Sequence, residues 1–407
     1  MNCRHCNQVL EYKFLDLGFM PPSNAYLSKE ELNKPELTFP LRLFVCYNCW
    51  LVQTDDYTCA EDLFTDKYAY FSSVSKNWLI HAKKYAESIT REIGLTKNSF
   101  VVEVASNDGY LLKNFVAKKI PCLGIEPTAS TADKAEEQEI PVCREFFGKE
   151  LALQLKKEGK SADLIIGNNV FAHVPDINDF SEGMKILLKE SGTITLEFPH
   201  LMELLKHKQF DTVYHEHFSY LSLFTVNKIF KNVGLKIWNV DILETHGGSL
   251  RVYGCHLDHQ REVSPVVNKI ILEEEQFGLH DLEIYNSFQK HVNNIKNDFL
   301  DFLIKQRKNG KRIAAYGAAA KGNTLLNYAG VKSDLITCVY DAASAKQGNY
   351  LPGSHIPILH PDEIDNDQPD FLIILPWNIS SEIIQQLQSV NDWGCKFVVA
   401  IPGIRVI

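Results

Sequence analysis

The sequence predicts an α/β protein with two open, mostly parallel sheets and a small N-terminal unit. Three observations support this fold class. A short apolar, β-branched run at residues 100–104 is followed by turn residues at 106–109 and then by apolar residues at helical spacing. Between residues 101 and 257, predicted strands and helices alternate. A second unit of strand, glycine turn and helix begins at residue 311.

The composition is that of an ordinary globular protein. The chain has 407 residues, of which 45% are hydrophobic and 23% charged, so it can form two or three domains. It has no apolar run of the roughly 18 residues that cross a membrane and no signal-peptide core, so we expect a cytoplasmic protein without a membrane partner. The net charge of −9 disfavours a general nucleic-acid surface, because phosphate contacts come mainly from clustered Lys and Arg.

Two C-x-x-C pairs near the N-terminus predict a metal site. Four thiolates on two tight turns select zinc, and the predicted ligands are Cys3, Cys6, Cys46 and Cys49. A disulfide is the alternative, but the chain lacks a secretion signal. A redox role is disfavoured because neither pair opens an evident helix after a strand. A site with four protein ligands is structural, and we assign residues 1–65 to a zinc-binding domain.

The segment before the first parallel strand contains a predicted strand and a predicted helix. The strand, within residues 14–27, is interrupted by two prolines that cannot continue a ladder. The helix is expected at 78–93, with Ser72 or Ser75 as its N-cap. The aromatic run before it usually indicates packing, although Tyr68 could instead cover a bound nucleoside or the reacting centre.

The turn that ends at Gly109 is the predicted cofactor site. Ligands bind at the carboxyl ends of parallel strands, and a second strand about 20 residues later ends in Glu126, whose carboxylate suits ribose hydroxyls. A pyrophosphate loop needs several glycines, whereas this turn has one, and two acids, Glu103 and Asp108, would repel phosphate. S-adenosylmethionine carries two positive groups and no phosphate. The sequence therefore favours it over NAD or FAD, with an ordinary strand and turn of an α/β core as the alternative.

The central alternation predicts one sheet with an antiparallel edge. We predict strands at residues 100–104, 121–125, 140–143, 163–167, 192–197, 236–243 and 249–257. The last two are separated only by residues 244–248, so they form a hairpin. This hairpin is typical of a class I methyltransferase sheet and absent from a plain dinucleotide-binding fold. We assign residues 66–260 to this domain.

Polar residues follow the fourth predicted strand. The amides of Asn168 and Asn169 can reach the methionyl ammonium or the substrate, and we assign the first to the cofactor and the second to the substrate. His173 lies one turn later beside the same crevice, with a core or surface role as the alternative. The full set of predicted cofactor contacts is Glu103, Ala105, Asn107, Asp108, Gly109, Glu126 and Asn168.

The densest group of reactive side chains lies at residues 214–220. It offers a general base near neutral pH, an acid to orient that base and a hydroxyl for an oxyanion, and its members are Tyr214, His215, Glu216, His217 and Tyr220. A zinc site is the alternative. It is disfavoured because two histidines spaced two apart diverge on a helix, whereas a helical zinc motif spaces them by four.

The C-terminal part predicts a helical connector and a smaller Rossmann-like domain, assigned together to residues 261–407. Long helices are expected at 262–308, and strands at 335–340, 371–375 and 396–401 follow the turn at 311–324. Gly317 and Gly322 leave backbone N–H groups open, and Lys321 adds charge, which suits phosphate. Lys321 and Arg251 are the candidates for a pyrophosphate, with a surface lysine and a solvated edge-strand charge as the respective alternatives.

The motifs together resemble one family, the three-domain sugar C-methyltransferases that act on nucleoside-diphosphate 4-keto-deoxysugars. The resemblance covers essentially the whole chain and includes the four cysteines and the segments Tyr-Ala-Tyr-Phe-Ser-Ser, Val-Glu-Val-Ala-Ser-Asn-Asp-Gly, Asn-Asn-Val-Phe-Ala-His-Val-Pro-Asp, Tyr-His-Glu-His-Phe-Ser-Tyr, His-Gly-Gly-Ser-Leu-Arg and Tyr-Gly-Ala-Ala-Ala-Lys-Gly-Asn. It implies an N-terminal zinc domain, a central S-adenosylmethionine domain and a C-terminal domain that helps to hold a dTDP-sugar, methylated at C-3.

The resemblance also implies catalytic roles. It makes His217 the base, Glu216 and Tyr214 its neighbours, and Tyr68 and His173 further active-site residues, with Tyr214 or His173 as the alternative base. A neutral imidazole would remove a proton next to a ketone, so we expect a pH optimum above the pKa of His217.

Other functions stay open at this point. O- or N-methylation of another sugar nucleotide needs no carbon acid, and an NAD-dependent oxidoreductase would use the C-terminal glycine turn. A binding role for the zinc module would need a basic face that the composition does not suggest. We expect a monomer with a nucleoside-diphosphate sugar as its substrate.

Overall fold

An antiparallel sheet of four strands forms the N-terminal unit of the protein. The computed structural model describes residues 1–55 and 71–407. The strands of this sheet, in spatial order, are Tyr12–Met20, Phe39–Val45, Val52–Thr54 and Ser219–Tyr220. The first strand ends immediately before the two prolines, as predicted. The fourth strand has only two residues, too few for a pattern, and it ties the segment after His217 to the N-terminal unit.

The central sheet has seven strands and the order of a class I methyltransferase. In spatial order they are Leu235–Leu243, Ser249–His256, Leu188–Pro199, Ala162–Asn168, Val101–Val104, Cys122–Ile125 and Val142–Cys143. The last five are parallel, and the first two form the predicted antiparallel hairpin at the edge. The strand order reverses between Val101–Val104 and Ala162–Asn168, which opens a crevice at their carboxyl ends. The predicted fold class is confirmed for this sheet.

Helices cover both faces of the central sheet. They are Lys76–Glu92, Lys113–Val116, Ala129–Glu136, Lys149–Lys157, Ile177–Leu187, Leu201–Lys206 and Leu223–Val233. Ser75 is the N-cap of the first, because its hydroxyl accepts a hydrogen bond from the Trp78 N–H at 3.2 Å. The helix expected directly after the cofactor turn is shorter than its apolar spacing suggested. Asn107 and Gly109 have positive φ angles, so the chain makes turns there and becomes helical only at Lys113.

The C-terminal sheet has six strands. In spatial order they are Ile358–Leu359, Val339–Tyr340, Ile313–Tyr316, Phe371–Ile374, Lys396–Val399 and Arg405–Val406, of which only the last is antiparallel to its neighbour. The first and last were not predicted, because two-residue strands carry no periodicity. The helices of this half are Pro265–Phe277, Leu282–Asn286, Phe288–Lys308, Ala320–Ala329, Ile364–Asp367 and Ser380–Gln386.

The N-terminal and C-terminal sheets share one hydrophobic core. The long helix Phe288–Lys308 buries Val292, Phe299 and Leu303 in a cluster that contains Leu43 of the first sheet and Ile373 of the last. The central sheet has a separate core that includes the zinc-site cysteines. The N-terminal and C-terminal units therefore pack together, and the zinc-site cysteines of the N-terminal unit also pack in the core of the central sheet. No helix in the described ranges has the length and apolarity to cross a bilayer.

Candidate active site

The turn after strand Val101–Val104 has a strained backbone. Ala105, Asn107 and Gly109 have φ angles of +55°, +50° and +75°. Gly109 is required by space as well as by conformation, because a Cβ there would lie 2.4 Å from Cδ1 of Ile140. This backbone places three of the predicted cofactor residues at the switch point of the central sheet.

Side chains from two neighbouring segments brace this turn. The Glu126 carboxylate accepts the N–H of Asn107 at 2.9 Å and the N–H of Thr128 at 3.0 Å. On the other side, the N–H groups of residues 72 and 73 donate to the side chains of Asn107 and Asp108, at 2.9 and 3.0 Å. Glu126 is therefore at the predicted edge of the crevice and also stabilises the turn. Tyr68 lies outside the described residues.

The crevice contains buried acidic and amide groups without a cation. Glu103 is fully buried and forms no ion pair among the described residues, and one carboxylate oxygen of Asp108 and both polar side-chain atoms of Asn168 are buried without a hydrogen bond. Burial, followed by the charges of Asp108 and Glu126, raises the pKa of Glu103 well above its ordinary value. Burying these polar groups without partners costs free energy, and a bound ligand of complementary charge would offset that cost. A ligand with positive charge and amino hydrogens, such as S-adenosylmethionine, matches these groups.

A second cluster is centred on the imidazole of His217. Its ring centroid lies 4.2 Å from that of Tyr214, 4.5 Å from that of His173 and 5.8 Å from that of Tyr220. A tight turn, closed by the His217 N–H donating to the Tyr214 carbonyl at 3.0 Å, brings these residues together. Burial, followed by the nearby His173 and His246, lowers the pKa of His217 well below its usual range. The imidazole is therefore neutral near pH 7.

The neutral imidazole of His217 carries one N–H and one nitrogen that can accept a proton. A main-chain interaction with Thr212 opposes the lowering of its pKa. The carboxylate of Glu216 instead accepts from the amide of Asn24, at 3.0 and 3.1 Å. His215 faces the N-terminal sheet, where a ring nitrogen lies 3.3 Å from the Phe39 carbonyl. The two histidines thus diverge, in a turn and not on the helix for which their spacing predicted divergence.

Lys321 faces the same crevice from the C-terminal unit. Its ammonium donates to the Asn378 side-chain oxygen at 2.6 Å and lies 4.6 Å from the ring centroid of Trp377. The Trp377 indole N–H donates to Asp211 at 2.7 Å. Burial lowers the pKa of Lys321 to about 8 and raises that of Asp211 to about 6. The charge of Lys321 also lowers the pKa of His217, which places the ammonium near that imidazole.

Arg251 lies in the interior between the hairpin and the first helix. Its guanidinium is 2.7 Å from the Glu197 carboxylate and 3.0 Å from a ring nitrogen of His81, and it stacks 4.3 Å from the ring centroid of Tyr85. Its charge is already balanced by Glu197. Of the two cations predicted to bind a pyrophosphate, Lys321 is therefore the one whose nearest hydrogen-bonding partner is a neutral amide and not a carboxylate.

Asn169, predicted to contact the substrate, lies 3.3 Å from a ring nitrogen of His246.

The four cysteines of the N-terminal unit form one cluster. Their Sγ atoms all lie within 4.8 Å of one another, and no other group of three or more His, Cys, Asp or Glu side chains in the described part of the chain has such an arrangement. Asn7 and Trp50, with φ angles of +60° and +64°, close the two knuckles by donating to the carbonyls of Cys3 and Cys46. The amide of Gln53 donates to Cys3 at 3.3 Å. This donor set fits a tetrahedral zinc ion.

Several site residues were not predicted from the sequence. Asn24 appeared only within the strand predicted in residues 14–27, and His246 only in the hairpin connection. Asp211 and Trp377 had no sequence signal, because their contact joins segments 166 positions apart in the chain.

Three family models match this chain. They describe a zinc binding domain at residues 3–64, a methyltransferase domain at 78–240 and a C-methyltransferase C-terminal domain at 244–402. The C-methyltransferase NovU of Streptomyces niveus is 32% identical over 405 residues, which cover 100% of this chain and 96% of NovU.

Solved structures with a similar fold are more distant. The magnesium protoporphyrin IX methyltransferase ChlM of Synechocystis PCC 6803 with bound SAH aligns with 44% of this chain and 82% of its own, at 14% identity and a TM-score of 0.35. An S-adenosylmethionine-dependent methyltransferase of Clostridium acetobutylicum ATCC 824 aligns with 43% of this chain and 90% of its own, at 11% identity and a TM-score of 0.33.

The sheet order, the acidic switch point and the family models define an S-adenosylmethionine-dependent methyltransferase with a zinc-binding N-terminal domain. The chain belongs to the C-methyltransferase family. The predictions of a methyltransferase, of S-adenosylmethionine and of structural zinc are thereby confirmed.

Proposed function

We propose that this C-methyltransferase acts on a nucleoside-diphosphate 4-keto-deoxysugar, dTDP-linked and methylated at C-3. One observation supports this most strongly. A buried, neutral imidazole, that of His217, lies beside the rings of Tyr214 and His173, and the ammonium of Lys321 is near enough to lower its pKa further. The acidic turn after strand Val101–Val104 offers a place for a cationic donor. Methylation of carbon next to a ketone needs a neutral base, a place for a cationic donor and a counter-charge for the phosphates.

His217 is the proposed base. Its accepting nitrogen takes the proton from the carbon next to the ketone, and the electrons of that C–H bond move into an enolate. The hydroxyl of Tyr214 stands beside it to stabilise the enolate oxygen, and Tyr68 is expected to contribute in the same way. His173 packs against the other side of the base as a further active-site residue. S-adenosylmethionine, when bound, supplies the methyl group that this carbon receives. Glu103, Asp108 and Asn168 hold its positive end, and close placement of the two substrates provides much of the acceleration.

Substrate binding is proposed to be shared between the central and the C-terminal unit. Lys321 is the proposed partner of the pyrophosphate, and Asn169 is proposed to contact the sugar. Arg251 can bind the pyrophosphate together with Lys321 only if a phosphate group replaces the Glu197 carboxylate beside its guanidinium. We further propose the domain division at residues 1–65, 66–260 and 261–407, with the substrate between the last two.

The test is to incubate the purified protein with S-adenosylmethionine and a panel of 4-keto nucleotide sugars in deuterium oxide, and to follow products by mass. We expect one methyl group to be added to carbon, and deuterium to enter the unreacted sugar at the methylated position. Methyl transfer without such exchange in any sugar of the panel would favour O- or N-methylation. Turnover that requires a nicotinamide cofactor instead would contradict the proposal.

Glu103→Gln should weaken S-adenosylmethionine binding by about tenfold or more, because a buried cation would lose its anionic partner. Calorimetry in the absence of sugar measures this effect. Because a cation favours ionised Glu103, whose pKa is raised in the free protein, affinity should also increase with pH in the wild type and lose this dependence in the variant.

Glu150→Gln is the matched control, since Glu150 is an exposed acid in the helix Lys149–Lys157. It should leave the affinity unchanged. Equal affinity of the wild type and Glu103→Gln across the pH range would show that Glu103 does not compensate the ligand charge.

A further inference from the structure

The loop at residues 21–27 of the N-terminal unit reaches into the active site. It follows the strand Tyr12–Met20 and is pinned to the C-terminal unit on both sides of Asn24. The Ser23 carbonyl accepts from the side chain of Asn323 at 2.6 Å, and the Tyr26 hydroxyl donates to the Ala318 carbonyl at 2.6 Å. The backbone on either side of Asn24 is therefore fixed by contacts that Asn24 itself does not make.

Asn24 directs its amide at Glu216 from this fixed position. The Nδ2 atom lies 3.1 Å from one carboxylate oxygen of Glu216 and 3.0 Å from the other. These two residues are 192 positions apart in the chain. Glu216 is 2% exposed and forms no salt bridge among the described residues, so the neutral amide is its hydrogen-bonding partner. A donor shared between both oxygens favours the ionised carboxylate.

The other titratable groups around Glu216 do not supply a positive charge. The phenols of Tyr26 and Tyr220 are near enough that the carboxylate adds to the rise that burial causes in the pKa of each. The imidazole of His173 donates to the main-chain carbonyl of Glu216 and has a pKa lowered to about 4, so it is neutral. Burial raises the pKa of Glu216 to about 7, and the hydrogen bond from Asn24 is what opposes this rise.

We propose that Asn24 is a positioning residue of the active site, through which the N-terminal unit holds the Glu216 carboxylate in place and in its ionised form. The zinc-binding domain then has a function in catalysis as well as in folding. For its effect on turnover this inference rests on the proposed function, because Glu216 directly precedes the proposed base His217 in the chain. The contact and its effect on ionisation do not depend on the substrate.

The protonation of Glu216 can be measured without any sugar. The zinc-loaded full-length protein is titrated by infrared spectroscopy, and the protonated-carboxyl band that disappears in Glu216→Gln reports Glu216. We expect a wild-type midpoint of about 7. Asn24→Ala should move this midpoint upward by about one pH unit, because the lost bond stabilised only the ionised form. Ser23→Ala, one residue away on the same loop, removes a weak 3.4 Å contact with Thr324 and should leave the midpoint unchanged.

Kinetics then separate positioning from a merely structural role. In the wild type, kcat should fall as the pH drops through the Glu216 midpoint. In Asn24→Ala this acid limb should move upward with the infrared midpoint, so kcat at pH 7 falls several-fold and is restored at higher pH, while KM for S-adenosylmethionine changes little. Adding Asn24→Ala to Glu216→Gln should have no further effect on kcat.

Two results would overturn the inference. One is an unchanged infrared midpoint in Asn24→Ala, and the other is a loss of kcat that is equal at all pH values and additive with Glu216→Gln. If Asn24→Ala does not fold, Asn24→Leu preserves the side-chain shape without the donor and is judged in the same way. If no sugar of the panel is methylated, the infrared titration still decides whether Asn24 controls Glu216, so failure of the proposed function is recognised separately.

Discussion

Replacing His217 by alanine is expected to reduce C-methylation by at least about 100-fold, the usual minimum contribution of a general base. The substitution removes the buried, neutral imidazole whose unprotonated nitrogen can accept a proton. The deuterium exchange into substrate should fall with methyl transfer, because both require the same proton abstraction. Binding of S-adenosylmethionine should be retained, since the acidic turn is formed by other residues. Rates and exchange are measured by mass, and cofactor binding by calorimetry.

The wild-type pH profile adds a check on this assignment. The pKa of His217 is lowered, so its neutral form persists well below pH 6.5 and its protonation should not limit the rate near neutrality. His291→Ala is the matched control, because His291 is an exposed histidine on the helix Phe288–Lys308. His217→Asn keeps a polar side chain of similar size and guards against misfolding. Full turnover or undiminished exchange in either His217 variant would mean that His217 is not the base, and Tyr214 or His173 would then be assigned that role.

Removing the zinc ligand Cys46, as Cys46→Ser, should have the largest effect on stability. Structural zinc contributes about 10 kcal/mol or more in small domains, which is comparable to the entire folding free energy of a typical domain. The N-terminal sheet is therefore expected to lose its cooperative unfolding transition and the protein its bound zinc. Because this sheet shares a core with the C-terminal unit, the loss should extend to the helix Phe288–Lys308. Calorimetric unfolding, metal analysis and hydrogen exchange measure these effects.

Cys143→Ala is the control for this experiment, because Cys143 is a half-buried thiol on the edge strand Val142–Cys143 and does not belong to the cluster of four cysteines. It should retain both the zinc and the unfolding profile. A strong chelator applied to the wild type should reproduce the Cys46→Ser result. Normal unfolding of either zinc-free protein would mean that the cysteine cluster is not needed for the fold.

Much of the fold followed from local patterns. Each of the seven central strands was predicted near its observed position, because the parallel strands are short apolar runs bounded by turn residues and the hairpin strands are joined by a short connection. The positive φ angles at Asn107 and Gly109 agree with their residue types, since Asn and Gly adopt that conformation at the least cost, whereas the positive φ of Ala105 was not indicated by its residue type. The zinc cluster followed from spacing alone, because two thiolates on one tight turn already form half of a tetrahedral site.

For the candidate site, the sequence predicted which residue types take part but not which of them contact one another. His217, Tyr214 and Glu216 are neighbours in the chain, and their chemistry was evident from that. The prediction that an acid orients the base has a different outcome in the fold, where the Glu216 carboxylate is turned to the amide of Asn24. Arg251 was a candidate for phosphate, and the fold pairs it with Glu197.

Strand positions, the acidic cofactor turn and the zinc ligands could be derived from the chain alone, because each depends on residues a few positions apart whose geometry the backbone imposes. Which groups face one another across the crevice depended on packing between distant segments, where burial changes the protonation of Glu216, His217 and Lys321. Contacts between residues hundreds of positions apart leave no periodic trace in one sequence, so the meeting of Asn24 with Glu216 became visible only once the three units were assembled.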